Sequence, residues 1–279
     1  MSENGIAQNA ARFGSFRSCA ATHAGTANRL NEDAYVNRPD LGLWAVADGA
    51  GGHVAGEIAS AEVASLLQSI DANLSASEML VEVRTRLEAA HARLHSEASR
   101  LGSGAMVATT VVVVMARDDH FACLWAGDSR AYLLRGHSLT RITRDHSLVQ
   151  VMVENGTISE AEAARHPQAN VITRAVGADI DLLELDKRTG QLQAGDRLLL
   201  CSDGLSKTVP EELLAELLSG DDDTAAERLV TAALMAKVTD NVTAVTIDFS
   251  AGGRSAVSPS DEDGRATHDD AAAVGGEGA

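Results

Sequence analysis

The chain has 279 residues, 45% of them apolar, only 4 prolines, and a formal net charge of −17. That length suits one large domain or two small ones. The charge argues against nucleic acid or an anionic membrane as partner, since both would repel it. Three cysteines without a C-x-x-C pair and a polar opening stretch, with no basic-then-apolar leader, point to a reduced, cytoplasmic protein.

The first chemical signal is LWAVADGAGGH, Leu43–His53. Leu43 to Ala47 suits a buried strand, yet it ends in Asp48 followed by Gly49, Ala50, Gly51 and Gly52. Asp and Gly are ordinary turn residues, so a tight turn is one reading. A dinucleotide loop fails, because G-x-G-x-x-G from Gly49 needs a glycine where Val54 stands. A helix is expected over Glu57–Ile70. Ser75 and Glu78 form a capping box that opens a second helix, with Leu80, Val83, Leu87, Ala90 and Leu94 on one stripe.

Strands are expected over 109–115, 120–127, 130–135, 196–203 and 241–249, with a turn at Gly136-His137. The longest apolar run, Met106 to Ala116, is about half a membrane span. Residues 145–170 are helical in pattern but too polar for core. Strands, two helices, many strands, a helical insert and more strands make an α+β order with antiparallel sheet, not a βαβ alternation. Residues 251–279 hold no Leu, Ile, Met or aromatic residue and six acids against two arginines. Such a stretch cannot offset its chain entropy, so 250–279 is expected to be a disordered acidic tail.

The acids follow the strands. Asp48 and Asp203 end apolar strands, Asp128 interrupts a third, Asp240 precedes a fourth, and Asp33 with Glu32 leads toward the first. Each alone could begin a turn. If the strands are neighbours, the acid-bearing ends converge, and carboxylates crowded together repel and resist ionisation. Mg²⁺ or Mn²⁺ resolves that conflict, since both take oxygen ligands. Bare glycines then let a backbone carbonyl reach the ion. Competing chemistries lack their residues: six positions after Cys19, Cys123 and Cys201 stand Gly25, Ser129 and Lys207 where a cysteine phosphatase needs arginine, and neither H-E-x-x-H nor G-x-S-x-G occurs.

The segments NRLNEDAY (28–35), VADGAGGHVAGE (46–57), GAMVATTVVVV (104–114), WAGDSRAYLLR (125–135), DHSLVQVMVENGTIS (145–159), HPQANVITRAVG (166–177), GDRLLLCSDGL (195–205) and TDNVTAV (239–245) come in this order. Through them the chain resembles the metal-dependent protein phosphatases of the PPM, or 2C-type, family in its bacterial form, over about residues 12–249. The resemblance implies one phosphatase domain: an α-β-β-α sandwich of two antiparallel sheets flanked by helices, with a helical flap at about 145–170. It also implies a Mg²⁺- or Mn²⁺-dependent serine/threonine phosphatase that attacks phosphoserine and phosphothreonine with activated water. The partners it implies are phosphorylated proteins and a cognate Hanks-type kinase.

Carried over by position, Asp48 bridges two ions, the Gly49 carbonyl holds the second, and Asp203 and Asp240 hold the first. Asp33, with Glu32, orients the attacking water or ligates, and Asp128 shares a third, weaker ion with Asp203. His53 is the candidate general acid, a histidine titrating near working pH. One departure stands out. The family's phosphate-binding arginine falls at Asn28, and Arg29 beside it is the candidate replacement, although neighbours on a strand face opposite sides. A catalytically dead fold used as a binding module would have lost metal acids, and Asp33, Asp48, Asp203 and Asp240 are all present. The chain is expected to act as a monomer.

Overall fold

The computed structural model describes residues 7–13, 15–27, 30–50, 54–102, 104–178, 182–220 and 223–250. The expected tail lies outside these residues. The N-terminal half runs β1 (Ala7–Phe13), β2 (Phe16–His23), β3 (Asp33–Arg38), β4 (Leu43–Ala50), α1 (Val54–Gln68), α2 (Ala76–Leu101), β5 (Ala108–Thr109) and β6 (Val111–Arg117). Then come β7 (His120–Ala126), β8 (Arg130–Arg135), β9 (Ser138–Arg141), α3 (Leu148–Glu154), α4 (Glu160–Ala163) and β10 (Asp186–Gln191). The last elements are β11 (Arg197–Cys201), α5 (Asp203–Ser206), α6 (Glu211–Leu218), α7 (Ala225–Met235) and β12 (Val242–Phe249).

Two antiparallel sheets form, ordered β1-β2-β12-β11-β8-β9 and β10-β7-β6-β4-β3, with β5 added to β4. The run of valines in β6 shows why they stack. Val112 and Val114 pack with Trp44, Trp125, Leu200, Val245 and Ile247 between the sheets. Val111, Val113 and Met115 pack with Val63, Leu67, Val83 and Leu87 beneath α1 and α2. A strand buried on both faces needs no polar alternate, so it reads as a continuous apolar run. On the far side, Tyr132, Leu199, Cys201 and Ala244 bury Leu214, Leu229 and Val230 of α6 and α7. The layers are therefore helix, sheet, sheet, helix, as expected.

Local details sharpen the sequence reading. Ser75 caps α2 with both halves of the capping box formed. The buried stripe is Met79, Val83, Leu87, Ala90, His91 and Leu94; Leu80 is only partly buried, because the 3.6-residue period favours 79 over 80. The expected strand over 109–115 breaks at Thr110, whose N–H donates to the Asp48 carbonyl at 2.8 Å. Composition did not reveal β2, β10, α6 or α7. Among the described residues no helix is long and apolar enough to cross a membrane.

The antiparallel pairing also delivers the acids to one end. Asp33, the first residue of β3, lies opposite Asp48 of β4. In the other sheet, Cys201 at the end of β11 lies opposite Ala244 of β12 and Arg130 of β8. Asp203 just after β11, Asp240 just before β12 and Asp128 just before β8 therefore share an edge.

Candidate active site

Asp33 is the hinge of the site. Its Oδ2 accepts hydrogen bonds from Ser202 Oγ at 2.8 Å and Thr243 Oγ1 at 2.7 Å, both from the opposite sheet. Ser202 also receives the Thr243 N–H at 2.9 Å. Because the Thr243 hydroxyl donates to Asp33, the Thr22 hydroxyl 2.7 Å away donates to Thr243, and the Asn31 amide donates in turn to Thr22 at 2.8 Å. Such a chain polarises each member in the same sense. Asp33 Oδ1, by contrast, is buried with no hydrogen-bond partner.

The electrostatics describe a site short of positive charge. Burial raises the Asp33 carboxyl to about 7, with the Thr243 and Ser202 hydroxyls pulling the other way and the Asp203 and Asp240 charges adding to the rise. Burial, then the charges of Asp33, Asp203, Asp128 and Asp240, holds Asp48 well above the carboxylate range. Asp128 is raised by burial first and Asp203 second, against the pull of Lys207. The five acids singled out by strand position thus feel one another. Among the described residues no three or more His, Cys, Asp or Glu side chains are drawn together tightly enough to enclose an ion. The donor chemistry nonetheless fits hard divalent cations: carboxylate oxygens, among them the buried and unpartnered Asp33 Oδ1.

The glycines leave room for backbone. A Cβ on Gly49 would press into the Gly56 carbonyl and stand 2.8 Å from the Glu32 carbonyl. The Gly49 N–H instead donates to that Glu32 oxygen at 3.1 Å. A Cβ on Gly56, in the first turn of α1, would collide with the Glu32 carboxylate. Asn241 anchors the same corner: its Oδ1 accepts from the Glu32 N–H at 2.8 Å, and its Nδ2 donates to the carbonyls of Ala24 and Leu30, each at 3.1 Å.

Asp33, Asp48, Gly49, Asp128, Asp203 and Asp240 are thus brought to one end, whereas Arg29 and His53 lie outside the described residues. Sequence reading missed Ser202, Thr243, Asn241 and Lys207. Lys207 Nζ donates to Asp128 Oδ2 at 2.8 Å, Asp203 Oδ2 at 2.7 Å and Asn170 Oδ1 at 3.0 Å. The one available signal was Lys207 four residues after Asp203, a spacing that pairs opposite charges over a helical turn. A cleft of about 870 Å³ opens beside it, between the 145–170 segment and α5, lined by Arg130, Arg141, Arg165 and Lys207 among others.

Comparison with known proteins gives a consistent answer. The family model for protein phosphatase 2C matches residues 21–243. The serine/threonine protein phosphatase PstP of Mycobacterium tuberculosis is 34% identical over 233 residues, covering 83% of this chain and 45% of that protein. The chain therefore spans less than half the length of that relative. Among solved structures, PppA, a key regulatory component of T6SS in Pseudomonas aeruginosa, superimposes with a TM-score of 0.78 at 39% identity, covering 86% of this chain and 100% of that one. The catalytic domain of PstP in complex with 2 manganese ions gives a TM-score of 0.75 at 33% identity, over 84% and 98% of the two chains.

Proposed function

The chain belongs to the protein phosphatase 2C family, and on that premise we propose that it is a Mn²⁺- or Mg²⁺-dependent protein serine/threonine phosphatase. It removes phosphate from phosphoserine and phosphothreonine in proteins, as a cytoplasmic monomer in signal transduction that opposes a Hanks-type kinase. The likeness to PppA supports seeking its substrates in a system like the one PppA regulates. The phosphatase domain spans 12–249, followed by an acidic segment over 250–279.

One observation carries this reading: Asp33, Asp48, Asp128, Asp203 and Asp240 crowd one end of the sandwich, where burial and mutual repulsion hold the first three above the usual carboxylate range. Asp48, the Gly49 carbonyl, Asp203 and Asp240 would hold two ions. When bound, such ions offset the charge of the phosphate and bring the acidity of a water toward neutrality. The chain's own residues then orient the reactants. Asp33 is fixed through Oδ2 by two hydroxyls, which leaves Oδ1 as the atom to accept a hydrogen bond from the attacking water. The Thr22–Thr243 chain stops the carboxylate from rotating. His53 delivers a proton to the leaving serine or threonine oxygen, and Arg29 binds the phosphate. Those two roles rest on sequence position; an unchanged KM in Arg29→Ala would remove the second.

The test is hydrolysis of a phosphothreonine peptide, titrated with Mn²⁺ and Mg²⁺, for wild type and Asp48→Asn. The expected result is activity that needs metal and disappears in the variant. Full activity in chelator, or in Asp48→Asn, would refute the assignment.

A further inference from the structure

We infer that Lys207 is a built-in cation standing where the family resemblance places a third divalent ion, so that this chain works with two ions and a lysine. The inference rests on the two-ion reading above and adds to it. The two acids to which the resemblance assigns the third ion, Asp128 and Asp203, each present one oxygen to the same ammonium, at 2.8 and 2.7 Å. The third N–H of Lys207 goes to Asn170 Oδ1 at 3.0 Å. An ammonium has three donors and no acceptor, so all of its hydrogen-bonding capacity is used.

The local fold fixes this arrangement. Lys207 closes α5, where its N–H donates to the Asp203 carbonyl at 2.8 Å, and one helical turn puts its side chain over that acid. Asp128 side-chain exposure is only 5%, so its carboxylate cannot turn to water for relief. The neighbouring cation Arg130 is engaged by Asp145, with contacts at 3.0 and 2.7 Å. A divalent ion taking the same two oxygens would lie against the ammonium in a partly desolvated pocket, where like charges repel strongly. The lysine would have to leave first, releasing Asp128, Asp203 and Asn170 together.

Two consequences separate this chain from a three-ion enzyme. Its ion count stops at two at millimolar Mn²⁺. The 145–170 segment, which holds Asn170, is tied to α5 by a covalently attached charge and so does not depend on free metal for that tie. Lys207 is in this sense a positioning residue: it sets where Asp128, Asp203 and Asn170 stand.

The experiment counts ions, by calorimetric titration of the metal-stripped protein with Mn²⁺ and by anomalous diffraction from crystals grown in Mn²⁺. Wild type, Lys207→Arg and Lys207→Met are compared. The Lys207 side chain is 31% exposed, so neither change opens a cavity in the core. Two ions are expected in wild type and Lys207→Arg, with a third between Asp128 and Asp203 in Lys207→Met. Three ions in wild type, with Lys207 turned out to solvent, would overturn the inference, as would two ions in Lys207→Met. If no folded variant bound Mn²⁺ at all, the two-ion reading itself would fall, and this inference with it.

Discussion

Replacing Asn241 with alanine tests how much of the corner between the sheets depends on one amide. Asn241 is 9% exposed and joins three backbone groups that are distant in sequence. Truncation orphans the Glu32 N–H and the carbonyls of Ala24 and Leu30. A buried polar group left unpaired costs roughly 1–3 kcal/mol, and at the low end for each of these part-buried groups the sum is about 3 kcal/mol. Against a usual stability of about 5–15 kcal/mol that is a large share. At about 2–4 °C per kcal/mol for a domain of this size, Tm should fall by roughly 6–12 °C in a thermal scan. Asn241→Asp sharpens the test. It keeps the shape and the acceptor for Glu32 but turns two donors into an acceptor facing two carbonyls. It should destabilise at least as much at neutral pH, and recover part of the loss in acid, where a protonated carboxyl donates again. Because Glu32 also receives the Gly49 N–H, both variants should need more Mn²⁺ for half-maximal activity. A Tm within about 1 °C of wild type for Asn241→Ala, smaller than one such unpaired group predicts, would refute the reasoning.

Gly49→Ala drives a methyl into two backbone oxygens that cannot rotate away; overpacking of about 1–3 kcal/mol and loss of metal-dependent turnover are expected, and a wild-type kcat would contradict the placement of Gly49. Arg197 is buried among Asp248 and the carbonyls of Leu218 and Gly220. Arg197→Ala should cost about 3 kcal/mol in denaturant titration, while the Mn²⁺ requirement stays unchanged because Arg197 begins β11 and the acids lie beyond its other end. Asp33 gives a pH test in chelator. Its carboxyl titrates at about 7 folded against 3.8 for the free group, so between those values the folded state holds a proton that the unfolded state has lost. Stability from this group is therefore present below the lower value and is lost as pH rises through the window. Wild type should lose Tm relative to Asp33→Asn across that range, and a constant gap between the two would count against the assigned burial.

The sequence disclosed what one strand can carry alone. VVVV in β6 and LLLC in β11 announce strands covered on both sides, and an aspartate at the end of such a run stands out against it. β10, with sequence DKRTGQ, hid because it is a largely exposed edge strand that takes its order from pairing with β7. α6 and α7 hid among acids and alanines, whose pattern gains meaning only against the outer face of β11 and β12. Within the site, the acids were legible and their supports were not. Thr243 reaches Asp33 across 210 positions, and Lys207 reaches Asp128 across 79. No local pattern encodes those meetings; the register of two sheets does.

Asp33 and Asp48 belong to one sheet, whereas Ser202, Thr243 and the acids flanking β8, β11 and β12 belong to the other. The catalytic end is thus a clasp that neither sheet can close alone. A nascent chain that has emerged only as far as β11 already carries Asp33, Asp48 and Asp128 but lacks Asp240 and the Thr243 hydroxyl. Its acid-bearing end is still incomplete, because β12 must insert between β2 and β11. Long-range pairing of that kind comes late in folding. The acid-bearing end is therefore formed only with completion of the sandwich, and a chain that stops short of β12 presents Asp33 and Asp48 without the groups that face them across the two sheets.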